Sequence, residues 1–158
     1  MLKSLKSLAA LILCLSMAIS FTSCYGDTNE WAVEINGEKI SSGVYLGYLV
    51  NAYSAATTEL SSKEGYTENK IFEMTIEEKS VEQWIKDKAL ESCKLYVATN
   101  KMFDEYKCEI NSELKATINK AVETQWETSS QYYETNGCSK SSYKKMIEAS
   151  YKQNVLFL

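Results

Sequence analysis

The side chains here that could do chemistry are thiols, carboxylates, lysines and tyrosines, because the 158 residues include no histidine, no arginine and no proline. Without histidine there is no imidazole general base, no His-containing zinc site and no Ser-His-Asp or Cys-His dyad. Without arginine there is no bidentate reader of phosphate or guanine. Serine and lysine are plentiful, but no Gly-x-Ser-x-Gly elbow occurs and no Ser-x-x-Lys setting supports a nucleophile. Glu77 and Glu78 read as first-turn residues of a helix, where the helix dipole favours negative charge, so capping accounts for them without catalysis. Glu105, Glu109 and Glu113 fall near a helix junction and lack the Asp-x-Asp-x-Asp-Gly spacing of a calcium loop. These patterns indicate no catalytic residue, no metal site and no cofactor.

The thiols divide by position. Lys3 and Lys6 make a positive start, and Leu8 to Phe21 is an apolar run of 14 residues. At about 1.5 Å per residue this run is too short to span a bilayer, and it suits a signal-peptide core. It ends in Phe21-Thr22-Ser23-Cys24, which resembles a bacterial lipobox. The resemblance implies a lipoprotein signal peptide over residues 1–23, cleavage before Cys24 and a diacylglycerol thioether on its sulfur. Residues 24–30 would then be the lipidated cysteine and a short polar tether on the extracytoplasmic face of a bacterial cell membrane. The other reading is a plain secretory signal with an incidental cysteine.

Beyond residue 23 lie 15 of the 17 lysines and all 21 acids, a net charge near −6. Such a body is a poor partner for nucleic acid or an anionic membrane surface, so the lipid must supply the attachment. Cys14 is lost with the signal. Cys93, Cys108 and Cys138 form no CxxC pair and read as small buried or half-buried thiols; one disulfide with a leftover thiol is the alternative.

The elements that must position these residues follow from periodicity. Trp31 to Ile35 alternates apolar and polar residues, and Asn36-Gly37 before Glu38-Lys39-Ile40 is a hairpin signal, since a type I′ turn needs two positive φ angles. Ser41 or Ser42 can cap a helix with Tyr45, Tyr48, Leu49, Ala52 and Ala56 on one face. Residues 61–70 are a polar break. Thr75-Ile-Glu-Glu78 reads as a capping box opening a second helix, with Val81, Ile85, Ala89, Cys93, Tyr96 and Phe103 inward and Trp84 beside them. Asn111 can cap a third helix carrying Leu114, Ile118, Val122 and Trp126 and ending near Asn136-Gly137. Ser139 can open a fourth, with Tyr143, Met146, Ile147, Tyr151 and Val155 on one face. The fold class is mainly α: a four-helix domain over residues 31–158 with a small N-terminal β-hairpin. Its last helix runs into Val155-Leu156-Phe157-Leu158 without a stop signal, which reads as a domain cut short at its C-terminal end, a buried C-terminus being the other reading.

The order of these elements resembles the start of the PrsA and SurA type foldases. Val33 to Ser41 (Val-Glu-Ile-Asn-Gly-Glu-Lys-Ile-Ser) is close to their V-N-G-x-x-I-[ST] pattern before a helix, and Gly137-Cys-Ser-Lys-Ser-Ser-Tyr143 is similar to their Gly-[Ile/Val]-Ser-x-x-x-[Phe/Tyr] segment, with Cys138 in the aliphatic slot. The resemblance covers most of residues 24–158. It implies a SurA-N-like chaperone domain that holds or folds unfolded exported polypeptides. Many members add a parvulin-type peptidyl-prolyl isomerase domain whose site uses histidines, and this chain has none. The alternatives are the N-terminal fragment of such an isomerase, or a surface lipoprotein of unrelated binding function.

The chain has 11 tyrosines and 3 tryptophans, residues that supply large, semi-polar contact surfaces. Tyr45, Tyr48, Trp84, Tyr96, Trp126, Tyr132 and Tyr133 are the candidate polypeptide cradle, each with plain core packing as its other reading. Tyr132 and Tyr133 are adjacent, so a helix cannot turn both toward the same core. The lipobox gives the first test: Cys24→Ala should yield an unlipidated protein, read by metabolic labelling with a radioactive fatty acid. Unchanged labelling would remove the basis for the anchor.

Overall fold

The computed structural model describes residues 30–157. The expected signal peptide, the lipidated Cys24 and nearly all of the tether lie outside the described residues. Strands β1 (Trp31–Ile35) and β2 (Glu38–Ser41) pair antiparallel, with Ile35 opposite Glu38 and a bulge between Trp31 and Val33. Asn36 and Gly37 turn the chain at φ 52° and 83°, as an Asn-Gly hairpin requires. Helix α1 (Ser42–Leu60) follows at once. Ser41 occupies its N-cap without a side-chain bond; the Ser42 backbone N–H and hydroxyl instead both donate to the Glu30 carbonyl, tying the tether's end to the helix start.

The capping box expected at Thr75–Glu78 is not what forms. A short 3-10 helix (Glu68–Glu73) leads into a second hairpin, β3 (Thr75–Ile76) and β4 (Lys79–Ser80). Glu77 and Glu78 are therefore the tip of a turn, at φ 50° and 62°, and not the first turn of a helix. Neither is a residue that favours positive φ, so the local sequence carries no hairpin signal there. The turn is held from both sides: Ile76 is buried in the core, and Ser80 caps helix α2 (Val81–Glu105) by accepting from the Gln83 backbone N–H. Ser80-x-x-Gln83 thus caps the helix five residues after the expected site.

Helix α2 ends in a Schellman stop, with Lys107 at φ 53° and the Cys108 N–H bonded to the Phe103 carbonyl. Asn111 then caps α3 (Ser112–Thr135) by accepting from the Leu114 N–H at 2.8 Å. At the far end, Gly137 takes the same left-handed position as Lys107, and the Cys138 N–H reaches the Tyr133 carbonyl. Ser139 accepts from the Ser142 N–H at the start of α4 (Lys140–Phe157).

The fold is mainly helical, with the small N-terminal hairpin in place. Helix α1 packs on α2 and α4, α2 also packs on α4, and α3 docks chiefly on α4. Two buried clusters result. One gathers Leu49, Tyr53, Leu60, Ile71, Ile76, Trp84 and Ile85; the other gathers Ile40, Val44, Cys93, Val97, Ile118, Val122, Trp126, Tyr143 and Met146. Tyr45 and Tyr48 pack against both. The inward faces read from periodicity are largely these residues. Val155 is the exception: it is 39 % exposed, and Phe157 69 %, because the last turn of α4 lies past the core. Among the described residues no helix is long and apolar enough to cross a membrane.

Helices α1 and α4 meet closely at Gly47. A Cβ there would lie 2.4 Å from the Met146 sulfur and 2.9 Å from the Cys138 sulfur. Gly47→Ala must therefore push the two helices apart or displace Met146, and should cost about 1–3 kcal/mol in urea unfolding. Ala55→Ser, at an exposed position of the same helix, should stay within about 0.5 kcal/mol. Equal stability of the two variants would refute the close crossing.

Candidate functional site

Two concave surfaces stand out among the described residues. The larger, about 550 Å³, lies between the β1–β2 turn and the C-terminal half of α2; Ile35, Val97, Ala98 and Met102 line it along with Lys94, Lys101, Glu38 and Glu105. The other, about 370 Å³, is a cleft to which all four helices contribute, and three of the seven sequence-predicted aromatics, Tyr48, Tyr96 and Tyr133, line it. Helix α1 supplies Tyr48 and Asn51, and α2 supplies Ser92, Leu95, Tyr96 and Thr99. Gln125 and Tyr133 come from α3; Tyr143, Met146, Ile147, Ala149, Ser150 and Gln153 come from α4.

The rings are held by one another and by side-chain amides. Tyr48 and Tyr96 meet edge to face with centroids 6.3 Å apart. Tyr133 lies 4.7 Å from Tyr143, and Trp126 backs both at 6.1 and 5.3 Å. Such pairs add about 0.5–1.5 kcal/mol each beyond the area they bury, and they fix ring orientation. The Tyr133 hydroxyl donates to the Asn51 amide oxygen and the Tyr143 hydroxyl to the Gln125 amide oxygen, each at 2.5 Å. Burial pushes the pKa of Tyr48, Tyr96, Tyr133 and Tyr143 up, so the hydroxyls keep their protons and remain donors at neutral pH.

The seven candidate residues do not form one cradle. Tyr48, Tyr96 and Tyr133 line the cleft, and Trp126, 8 % exposed, stands behind it. Trp84 is core in the other cluster, 7 % exposed, with the Lys88 ammonium 5.6 Å from its ring centre. Tyr45 is half-buried between the clusters. Tyr132 and Tyr133 do part company, as their adjacency demands. Tyr132 packs against the first cluster with its hydroxyl 3.1 Å from that of Ser54, whereas Tyr133 packs against the second and reaches Asn51. Asn51 and Ser54 are one turn apart on α1, so neighbouring tyrosines of α3 grip the same helix.

Sequence reasoning placed Tyr143 and Met146 on a core face and did not single out Asn51, Gln125 or Leu95. The reversal at Asn136-Gly137 was a usable signal, since it folds the segment after it back toward Tyr133. Nothing in the sequence marks the two amides.

Among the described residues, two of the three thiols are shielded from solvent. Cys93 and Cys138 are buried in the second cluster, and Cys93, Cys108 and Cys138 are all free, none in a disulfide. Burial pushes Cys93 and Cys138 up from the ordinary 9.0 to about 12. A folded-state pKa raised above the unfolded one stabilises fully below the unfolded value and is lost as pH rises through the folded one. Urea stability should therefore lose this contribution only as pH climbs from about 9 toward 12. At pH 8 an alkylating reagent should modify Cys108 well before Cys93 and Cys138, read by peptide mass mapping; equal labelling of the three would contradict their burial.

Comparison with protein families, with curated proteins and with solved structures finds no match to this chain. What it does is therefore read from its own residues and their geometry.

Proposed function

We propose that the chain is a lipid-anchored, extracytoplasmic chaperone-like domain of the holdase or foldase type, which binds unfolded exported polypeptides. The observation that carries this reading is the four-helix cleft with Tyr48, Tyr96, Tyr133, Tyr143 and Met146 in its walls. Aromatic faces and a thioether accept apolar side chains of many shapes, and nearby amides can satisfy the backbone that comes with them. The lipobox-like Phe21 to Cys24 and the PrsA/SurA-like segments at Val33–Ser41 and Gly137–Tyr143 support the same reading.

The mechanism is non-covalent. An apolar side chain of an unfolded segment leaves water, contributing about 1.5–3 kcal/mol if it is fully covered. The cleft is small and open, so the cost of ordering a flexible segment keeps binding weak and release fast. Weak, repeated capture lowers the concentration of aggregation-prone chains without trapping them. An anchor at Cys24 would keep the domain where exported chains emerge. The purified chain should suppress aggregation of a chemically denatured reporter, read by light scattering, and Tyr96→Ala should lose most of that effect while keeping its helical circular dichroism. No suppression at stoichiometric excess by a folded chain would sink the proposal.

A further inference from the structure

We infer that the four-helix cleft selects by charge: it takes stretches of unfolded polypeptide that carry no ionisable side chain and rejects acidic and basic stretches alike. This rests on the polypeptide-binding reading above and names which part of a client is held. None of the fourteen lining residues is charged, although 24 % of the chain is, a share that would place about three charges among fourteen. The groove at the β1–β2 turn has the opposite character, with two lysines and two glutamates among its nine lining residues.

The separation is built into the helices. Along α2, Ser92, Leu95, Tyr96 and Thr99 face the cleft, whereas Lys94 and Lys101 face the other groove. On α4, Lys152 and Glu148 are near the cleft residues but occupied with each other at 3.1 Å, and the Lys152 ammonium also donates to Asn100 and sits 5.3 Å from the Phe103 ring centre. A charged side chain entering the cleft would lose hydration and find no opposite charge on the walls, a penalty of either sign. The Asn51 and Gln125 amide oxygens already accept from tyrosine hydroxyls, and amide N–H groups are suited to a backbone carbonyl, which every sequence has. At about 370 Å³ the cleft sits near the small end of ligand sites, roughly 300–1,000 Å³, so the unit it reads is one or two side chains and their backbone.

Rejection of both signs is the distinguishing consequence. A chain of net charge −4 acting by its overall field would instead prefer basic clients. The test measures binding of three ten-residue peptides to the purified full chain by calorimetry: one of Ser, Thr, Leu and Tyr only, the same with two lysines, and the same with two glutamates. Both charged peptides should bind at least tenfold more weakly than the uncharged one, at low and at physiological salt. Leu95→Lys, at a rim position 48 % exposed and so tolerant of substitution, should weaken the uncharged peptide and improve the glutamate peptide several-fold. Equal affinities, tighter binding of the lysine peptide, or a Leu95→Lys variant with unchanged preferences would overturn the inference. Displacement of the uncharged peptide by a neutral oligosaccharide, or a dimer of the chain that Leu95→Lys abolishes, would also overturn it by giving the cleft another occupant. If the chain suppresses reporter aggregation but ranks the peptides alike, only the charge rule fails; if it suppresses nothing, the chaperone reading fails.

Discussion

Where α1 crosses α4, the missing side chain of Gly47 leaves room for the Met146 sulfur and the Cys138 thiol, and the aromatic contacts of the cleft are built on that crossing. Cys138 directly follows the Gly137 stop, so seating its thiol against α1 also fixes where α3 ends and α4 begins. With that reversal in place, Tyr133 and Tyr143 fall on either side of the turn and meet at 4.7 Å, with Trp126 behind them. Their hydroxyls then reach Asn51 on α1 and Gln125 on α3. A larger residue at position 47 would disturb the helix crossing first, and through it the tyrosine geometry.

The cleft and the surface around it divide the chemistry of the chain. Most charges lie on the solvated faces and in the groove beside the first hairpin, many in pairs such as Lys79 with Asp87 and Lys140 with Glu123, while the half-buried Lys152–Glu148 pair sits beside the cleft. Exposed pairs of this kind contribute little to stability, and they give the body solubility and a net negative charge. The cleft holds tyrosines whose hydroxyls stay protonated, uncharged amides and a thioether. That combination suits transient contact with segments of varied sequence. Among the described residues no three His, Cys, Asp or Glu side chains gather as a metal site.

Much of this was legible before the structure. The Asn36-Gly37 turn, the Asn111 and Ser139 caps and the Gly137 stop each follow from one residue whose backbone or side-chain preference is strong and local. Apolar positions repeating every three or four residues marked the inward faces of all four helices, except at Val155. The β3–β4 hairpin escaped because its turn residues, Glu77 and Glu78, oppose the conformation they adopt. Burial of Ile76 against its neighbours and the Ser80 cap outweigh that local preference, and Thr75-x-x-Glu78 is left as a pattern with no cap to make.

The sequence alone determined the helical class, the first hairpin, most helix ends and the exclusion of imidazole and guanidinium chemistry, because those depend on residue identity and near neighbours. Only the tertiary structure decided which aromatics share a surface. It sent Trp84 into one cluster and Trp126 into the other, split Tyr132 from Tyr133, and brought in Asn51, Gln125, Leu95 and Tyr143. Periodicity reports that a side chain lies on the inner face of its own helix. It does not report which helix that face meets, and a cleft made by four helices is a property of how they cross.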